Sequence, residues 1–221
     1  LGRTVPGPDG PEPNRLSLLS RWRLLDNLRR SLVEIAQLAL LLAGWTVLPG
    51  SPLRWTALAL LAVAAPGIVA LLLAALRPPR DGSPRAYYAS VARDAVTSAR
   101  QAAVAVTFLP HQAWISADAV ARSLWRTLVS GRYLLEWQTA SQAERAATGA
   151  ARDVWRTMWP AVAIAAGALA LVAARAAAIA TAAPNDAWKL LAAALPLVAL
   201  WIAAPALAHA LSAPSERRAR R

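Results

Sequence analysis

The chain is 221 residues long, 57% hydrophobic and 16% charged, with a mean hydropathy of +0.38 and a formal net charge of +12. A soluble domain runs near 45–50% apolar and about 25% charged, so lipid is part of this chain's solvent. The lack of cysteine excludes disulfide frameworks, thiolate metal sites and cysteine nucleophiles, and a chain whose only histidines are His111 and His209 has no histidine-rich metal centre.

Residues 1–14 carry Pro6, Pro8, Pro11 and Pro13 with Gly2, Gly7 and Gly10. Proline removes amide donors and fixes φ, so this stretch reads as a linker. Beginning at Leu1, it suits a join to an upstream domain, and the chain is expected to be a piece of a longer reading frame. Residues 15–31 read as a basic juxtamembrane helix holding Arg15, Arg21, Arg23, Arg29 and Arg30.

Four apolar stretches follow: Leu32–Leu48, Trp55–Leu76, Ala161–Ala183 and Trp188–Leu211. Spanning a hydrocarbon core of about 30 Å takes roughly 20 residues at about 1.5 Å each, which the last three exceed and the first slightly misses. Lipid offers backbone groups no partners, so all four are predicted to be α-helices. Pro49-Gly50-Ser51-Pro52 and Pro184-Asn185-Asp186 are turn signals joining them in pairs. The predicted fold is therefore an all-α membrane protein with four transmembrane helices in two hairpins. The first hairpin covers residues 32–76 and the second 160–211, with a basic tail at 212–221.

Arginine crowds residues 15–31, the segment 77–159 and the tail, whereas the hairpin turns carry only Arg54 and Lys189. The positive-inside rule then predicts a multi-pass arrangement with cytoplasmic N- and C-termini and a cytoplasmic middle segment. That placement also argues against nucleic acid as a partner, because anionic lipid already accounts for charge at helix flanks.

A structureless connection as long as 77–159 is uncommon. The segment reads as about three amphipathic interfacial helices. In the first, Tyr88, Val91, Ala95, Ala99, Ala102 and Val106 fall at helical spacing; after Phe108-Leu109-Pro110, the second aligns Trp114, Ala117, Ala121, Leu124, Trp125 and Leu128. A third starts after Gly131 and includes Leu134, Leu135, Trp137 and Ala140. Tryptophan on one face and arginine on the other suit the membrane interface, and a small soluble helical subdomain is the competing reading. Pro160 is predicted in the first turn of the next span.

Few residues invite chemistry. Arg175 is the one charge deep inside a predicted span, read either as a functional group or as a side chain snorkelling to the headgroups. Ala166, Ala170, Ala174, Ala178 and Ala182 recur every fourth residue, a stripe suited to close helix packing. Pro66, Pro196 and Pro205 are predicted to bend their helices. His111 reads as a helix-start residue or a contact to a polar ligand, and Glu136 with Trp137 as a sugar-contacting pair or a solvated glutamate beside an interfacial tryptophan. The sequence has no Asp-x-Asp pair, glycine-rich phosphate loop, metal-ligand cluster or catalytic triad. No catalytic residue, metal ligand or cofactor is therefore assigned to it.

Several strings together resemble the bacterial cyclic β-1,2-glucan synthases. They are the run from Ser20 through Trp22, Asp26 and Arg30 to Leu32; Phe108-Leu109-Pro110-His111-Gln112-Ala113-Trp114 leading into Asp118-Ala119; Leu134-Leu135-Glu136-Trp137; and Met158-Trp159-Pro160. The resemblance covers about residues 15–215 and corresponds to the membrane region between the family's glycosyltransferase and phosphorylase-like domains. It implies a parent that polymerises UDP-glucose, with a divalent metal, into a cyclic glucan. It also implies as partners the lipid bilayer, the upstream and downstream catalytic domains and the glucan chain. Trp22, Asp26, His111, Trp114, Glu136 and Trp137 become candidate contacts to glucan or catalytic domain. The family's tyrosine anchor for the growing chain makes Tyr87, Tyr88 and Tyr133 candidates. The region would then anchor the catalytic domain and, in one version, guide the glucan. The alternative is a self-contained four-helix scaffold or transporter component without activity.

Overall fold

The computed structural model describes residues 4–7, 10–13, 16–78, 83–131 and 151–212. Within residues 1–14, read as a linker, Thr4–Gly7 (β1) and Gly10–Pro13 (β2) pair as a two-stranded antiparallel ribbon, with Val5 opposite Glu12. Pro6, Pro11 and Pro13 give that ribbon no amide donors, so its ladder is sparse. Everything else described is helical or connecting chain, in keeping with the all-α prediction: α1 is Leu18–Thr46, α2 Pro52–Leu76, α3 Pro84–Trp125, α4 Ala151–Ala180 and α5 Pro184–Ser212.

Three of these, α2, α4 and α5, are long and apolar enough to cross a membrane. The basic stretch and the first apolar stretch form one helix, because nothing between Arg30 and Leu32 breaks it. Ser17 caps its start, accepting from the Ser20 amide at 3.2 Å, an arrangement worth about 0.5–2 kcal/mol. Its first half is exposed, whereas Leu38, Leu41, Gly44 and Trp45 are buried.

The middle segment departs from its prediction. The two amphipathic helices expected on either side of Pro110 are a single helix of 42 residues, α3. A proline inside a helix leaves the carbonyl four residues earlier without its donor, at a cost of about 3 kcal/mol or more. Here that carbonyl belongs to Val106, and the buried indole N–H of Trp201 on α5 donates to it at 2.9 Å. A tertiary partner thus supplies what the proline removed, and the helix continues. Of the predicted face, Val91, Ala95, Ala102 and Val106 turn inward, joined by Leu109 and Ala113, whereas Tyr88 and Ala99 are exposed. The Trp114, Trp125 and Leu128 face is exposed among the described residues. After Trp125 the chain makes a π-turn over Arg126–Ser130 and ends it at Gly131, at φ +60°. The third predicted helix lies outside the described residues.

Pro160 likewise sits well inside its helix and not in the first turn, since α4 starts at Ala151 and already carries Trp155 and Trp159. The helix that holds the third predicted span therefore begins before residue 160. The alanine stripe is also corrected. Ala166, Ala170, Ala174, Ala178 and Ala182 are exposed, whereas Ala161, Ala165, Ala168, Val172 and Ala176 pack inward. So many alanines allow several registers, and the buried one is in phase with Met158 and Val172. Against it α5 sets Ala187, Leu190, Ala194, Leu197, Trp201 and Ala204, an alternating three–four spacing typical of close helix pairs.

An aromatic hub joins the helices. Trp45 of α1 donates its indole N–H to Thr56 Oγ1 of α2 at 2.8 Å, and its ring lies 5.7 Å from that of Trp201. At the turn between α1 and α2, Trp55 donates to the Pro49 carbonyl at 2.9 Å. Beside it, Gly44 lets the two helices touch: a Cβ there would lie 2.9 Å from Trp55 Cγ.

Two outcomes follow for thermal unfolding in mild detergent. Trp201→Phe leaves the Val106 carbonyl bare and lowers stability by about 1–3 kcal/mol. In a Pro110→Ala background residue 110 regains its amide, so the same change costs less there, and equal costs in both backgrounds refute the compensation. Gly44→Ala destabilises by about 1–3 kcal/mol through overpacking against Trp55. Gly167→Ala, where an added Cβ meets nothing within 4 Å, is neutral or stabilising by up to about 1 kcal/mol.

Candidate functional site

The sequence-predicted candidates fall in three places. On the exposed first half of α1, Trp22 is two-thirds exposed and Asp26 sits four residues on. Asp26 is held by Arg29 at 2.8 Å and Arg30 at 2.6 Å, and hydrogen bonds from these guanidiniums, Arg29 first, keep its carboxyl below the usual range. Its charge is thus already matched within its own helix.

The second place is the middle of α3. His111 is half-buried, and its Nδ1 is buried with no hydrogen-bond partner. Loss of water around the ring pushes its pKa below the ordinary 6.5, so it is a neutral imidazole at pH 7. It lies inside α3 and not at a helix start, because Pro110 does not interrupt the helix. Trp114 is largely exposed nearby, and one turn further Asp118 pairs with Arg122. That ion pair lowers the Asp118 pKa, chiefly through the Arg122 hydrogen bond. No hydrogen bond or ion pair among the described residues joins these groups to Trp22 or Asp26. Glu136, Trp137 and Tyr133 lie outside the described residues.

The tyrosines have a definite local role. Tyr87 Oη donates to the Ala74 carbonyl at 2.7 Å and Tyr88 Oη to that of Ala75 at 3.3 Å. The last carbonyls of a helix run short of donors; Ala74 also accepts from the Arg77 amide at 3.3 Å, and the two hydroxyls add donors at the end of α2. The rings meet edge-on at 5.5 Å.

Third, Arg175 reaches a cavity of about 500 Å³ between the α1–α2 turn and the α4–α5 turn. Gly50, Ser51 and Arg54 line it from one side, and Ile179, Asp186, Lys189 and Leu190 from the other. Lys189 bonds Asp186 at 2.9 Å. The sequence singled out Arg175 but passed over Arg54 and Lys189 as sparse turn charges; their convergence comes from packing between residues far apart in the chain. Among the described residues, no group of three or more His, Cys, Asp or Glu is placed to hold a metal ion.

A bundle with three membrane-length apolar helices and a long amphipathic helix packed against them defines a multi-helix membrane protein. Compared with known proteins, the chain is 36% identical over 204 residues, 92% of its length, to the cyclic beta-(1,2)-glucan synthase NdvB of Rhizobium meliloti (strain 1021). The chain spans 7% of that protein's length. The resemblance to cyclic β-1,2-glucan synthases drawn from the sequence strings is shown by this match. No family model matches the chain.

The half-buried imidazole sets a pH dependence. The unfolded chain binds a proton near pH 6.5, whereas folded His111 resists it to lower pH. Its contribution is complete above that value and is lost as pH falls through the lowered folded pKa. The unfolding midpoint of the wild-type chain is expected to drop more steeply between pH 7.5 and 5 than that of His111→Gln. Parallel profiles would show that His111 titrates alike in both states.

Proposed function

We propose that this chain is the membrane region of a cyclic β-1,2-glucan synthase of the bacterial inner membrane. In this reading it holds the glycosyltransferase domain at the bilayer and guides the glucan made from UDP-glucose. The carrying observation is the 36% identity over 92% of the chain to a synthase of that specificity. The alternative of a self-contained scaffold or transporter component draws no support from that match.

The second half of α1, apolar and packed on the other helices, serves as a fourth span beside α2, α4 and α5. The Pro49–Pro52 and Thr181–Pro184 turns then face the periplasm, and the arginine-rich ends face the cytoplasm. At about 63 Å, α3 is roughly twice the hydrocarbon thickness, and it carries Arg85, Arg93, Arg100 and Arg122 along its length. Those features favour a helix lying along the cytoplasmic interface, with exposed Trp114 and Trp125 available to lipid or to the catalytic domain. The exposed face of α1 with Trp22 offers a second such surface. The divalent metal and UDP-glucose are assigned to the catalytic domain.

Membranes carrying the full reading frame, supplied with radiolabelled UDP-glucose, are expected to place label first in acid-precipitable protein and then in neutral cyclic glucan. A folded, inserted protein that labels neither pool overturns the reading. Tyr87→Phe and Tyr88→Phe separate two roles for these residues. As helix caps alone, they lose about 0.5–1.5 kcal/mol of stability each and keep the protein-bound label, the outcome expected from their hydrogen bonds. An anchor would lose the label outright.

A further inference from the structure

The cavity between the two turns has an unusual lining for one end of an apolar bundle. Arg54, Arg175 and Lys189 contribute three cations against a single carboxylate, Asp186, which is already bonded to Lys189 at 2.9 Å. Neither Arg54 nor Arg175 forms an ion pair with a carboxylate among the described residues. They come from different helices, α2 and α4, separated by more than a hundred residues of chain. Two guanidiniums brought to one cavity whose single carboxylate is already bonded to Lys189 call for an anion.

We propose that this cavity binds the phosphate group of an anionic phospholipid headgroup. Guanidinium groups present parallel N–H donors that match the oxygens of a phosphodiester, and they are less strongly hydrated than ammonium groups. Two further features favour the same charge. α2 starts here at Pro52, and its preceding Ser51 makes no side-chain cap bond; Pro52 has no N–H and the Arg54 amide is taken by the Ser51 carbonyl at 3.0 Å, so the Ser51 hydroxyl and the Leu53 amide remain to donate. α5 starts at Pro184 on the other side, and its positive helix end lies at the cavity too, met in part by Asp186 of its first turn.

Size and position select a headgroup over a small ion. About 500 Å³ exceeds what a lone phosphate fills, and Leu48, Pro52, Ile179 and Leu190 give the cavity apolar walls suited to a glycerol backbone. It lies where the apolar helices α2 and α5 begin, and the exposed Trp188 is the chain neighbour of its lining residue Lys189; this is the depth at which headgroups and tryptophans meet. Arg175 is then neither a stray charge nor a free snorkelling group, but one arm of a phosphate clamp. This inference stands on the cavity alone and is independent of the glucan reading.

Native mass spectrometry of the full chain in mild detergent tests it, with phosphatidylglycerol, phosphatidylcholine and inorganic phosphate as probes. Phosphatidylglycerol is expected to be retained at one site and to raise the unfolding midpoint. Arg54→Gln combined with Arg175→Gln should weaken that retention by about tenfold or more, two charge-assisted contacts being lost. Arg85→Gln, remote from the cavity, should leave it unchanged. Stabilisation by inorganic phosphate as strong as by the lipid would make a soluble phosphate the occupant and overturn the lipid assignment. Retention of phosphatidylglycerol that is equal in wild type and double variant, or no better than that of phosphatidylcholine, overturns the site itself. Unliganded unfolding midpoints, read in the same samples, separate loss of the site from loss of the fold.

Discussion

Within an apolar bundle each backbone carbonyl needs a donor, and Pro110 withholds one from Val106. The indole of Trp201 restores it at 2.9 Å, and much of the architecture follows from that bond. It allows α3 to run unbroken past Pro110, and it ties the middle of α3 to the middle of α5. It also orients the ring that Trp45 meets at 5.7 Å, while Trp45 spends its own N–H on Thr56. Four helices are therefore linked through two tryptophans. In lipid this matters more than in water, because burying an apolar side chain among helices gains little over burying it among acyl chains. Polar closure and tight packing remain, and both converge at this hub.

Much of this was legible in the sequence. Lengths and composition marked α2, α4 and α5, and the spacing of Val91, Ala95, Ala102 and Val106 marked the inward face of α3. Local rules stop a helix at a proline, but whether it stops depends on a donor nearly a hundred residues away, which no window around Pro110 contains. The alanine register failed for a related reason: α4 repeats small residues in every phase, and only the facing side chains of α5 choose among them. Trp201 carried a faint signal, since a tryptophan midway along an apolar stretch, away from the interface, must find a partner for its indole N–H.

The site was legible in a similar, partial way. Arg175 stands out in any hydropathy reading, because charge inside an apolar helix is costly. Arg54 and Lys189 do not, since a count of basic residues per loop treats them as background. Folding changes their meaning by bringing all three cations to one cavity. The charge pattern that orients the chain is thus a property of segments, whereas the charge that builds a site is a property of packing.

The least buried helix shows how little protein contact a membrane helix needs. Only 6% of the apolar window of α2 is buried, against 44% for α5, and Leu58, Leu61, Leu72 and Leu73 point outward. It is held at its ends. Thr56 accepts from Trp45 and Trp55 reaches Pro49 at the first end, and the Tyr87 and Tyr88 hydroxyls occupy the Ala74 and Ala75 carbonyls at the other. Midway, Gly67 leaves room for Ser98 of α3, whose Cβ would lie 3.1 Å from an added methyl. Polar clasps at both ends and one close approach between them fix the helix in register, leaving its flanks to lipid. Tyr87 and Tyr88 are thus, in this fold, already committed donors. Any role in chemistry would require them to release the end of α2, which couples such a step to the loosening of a membrane helix.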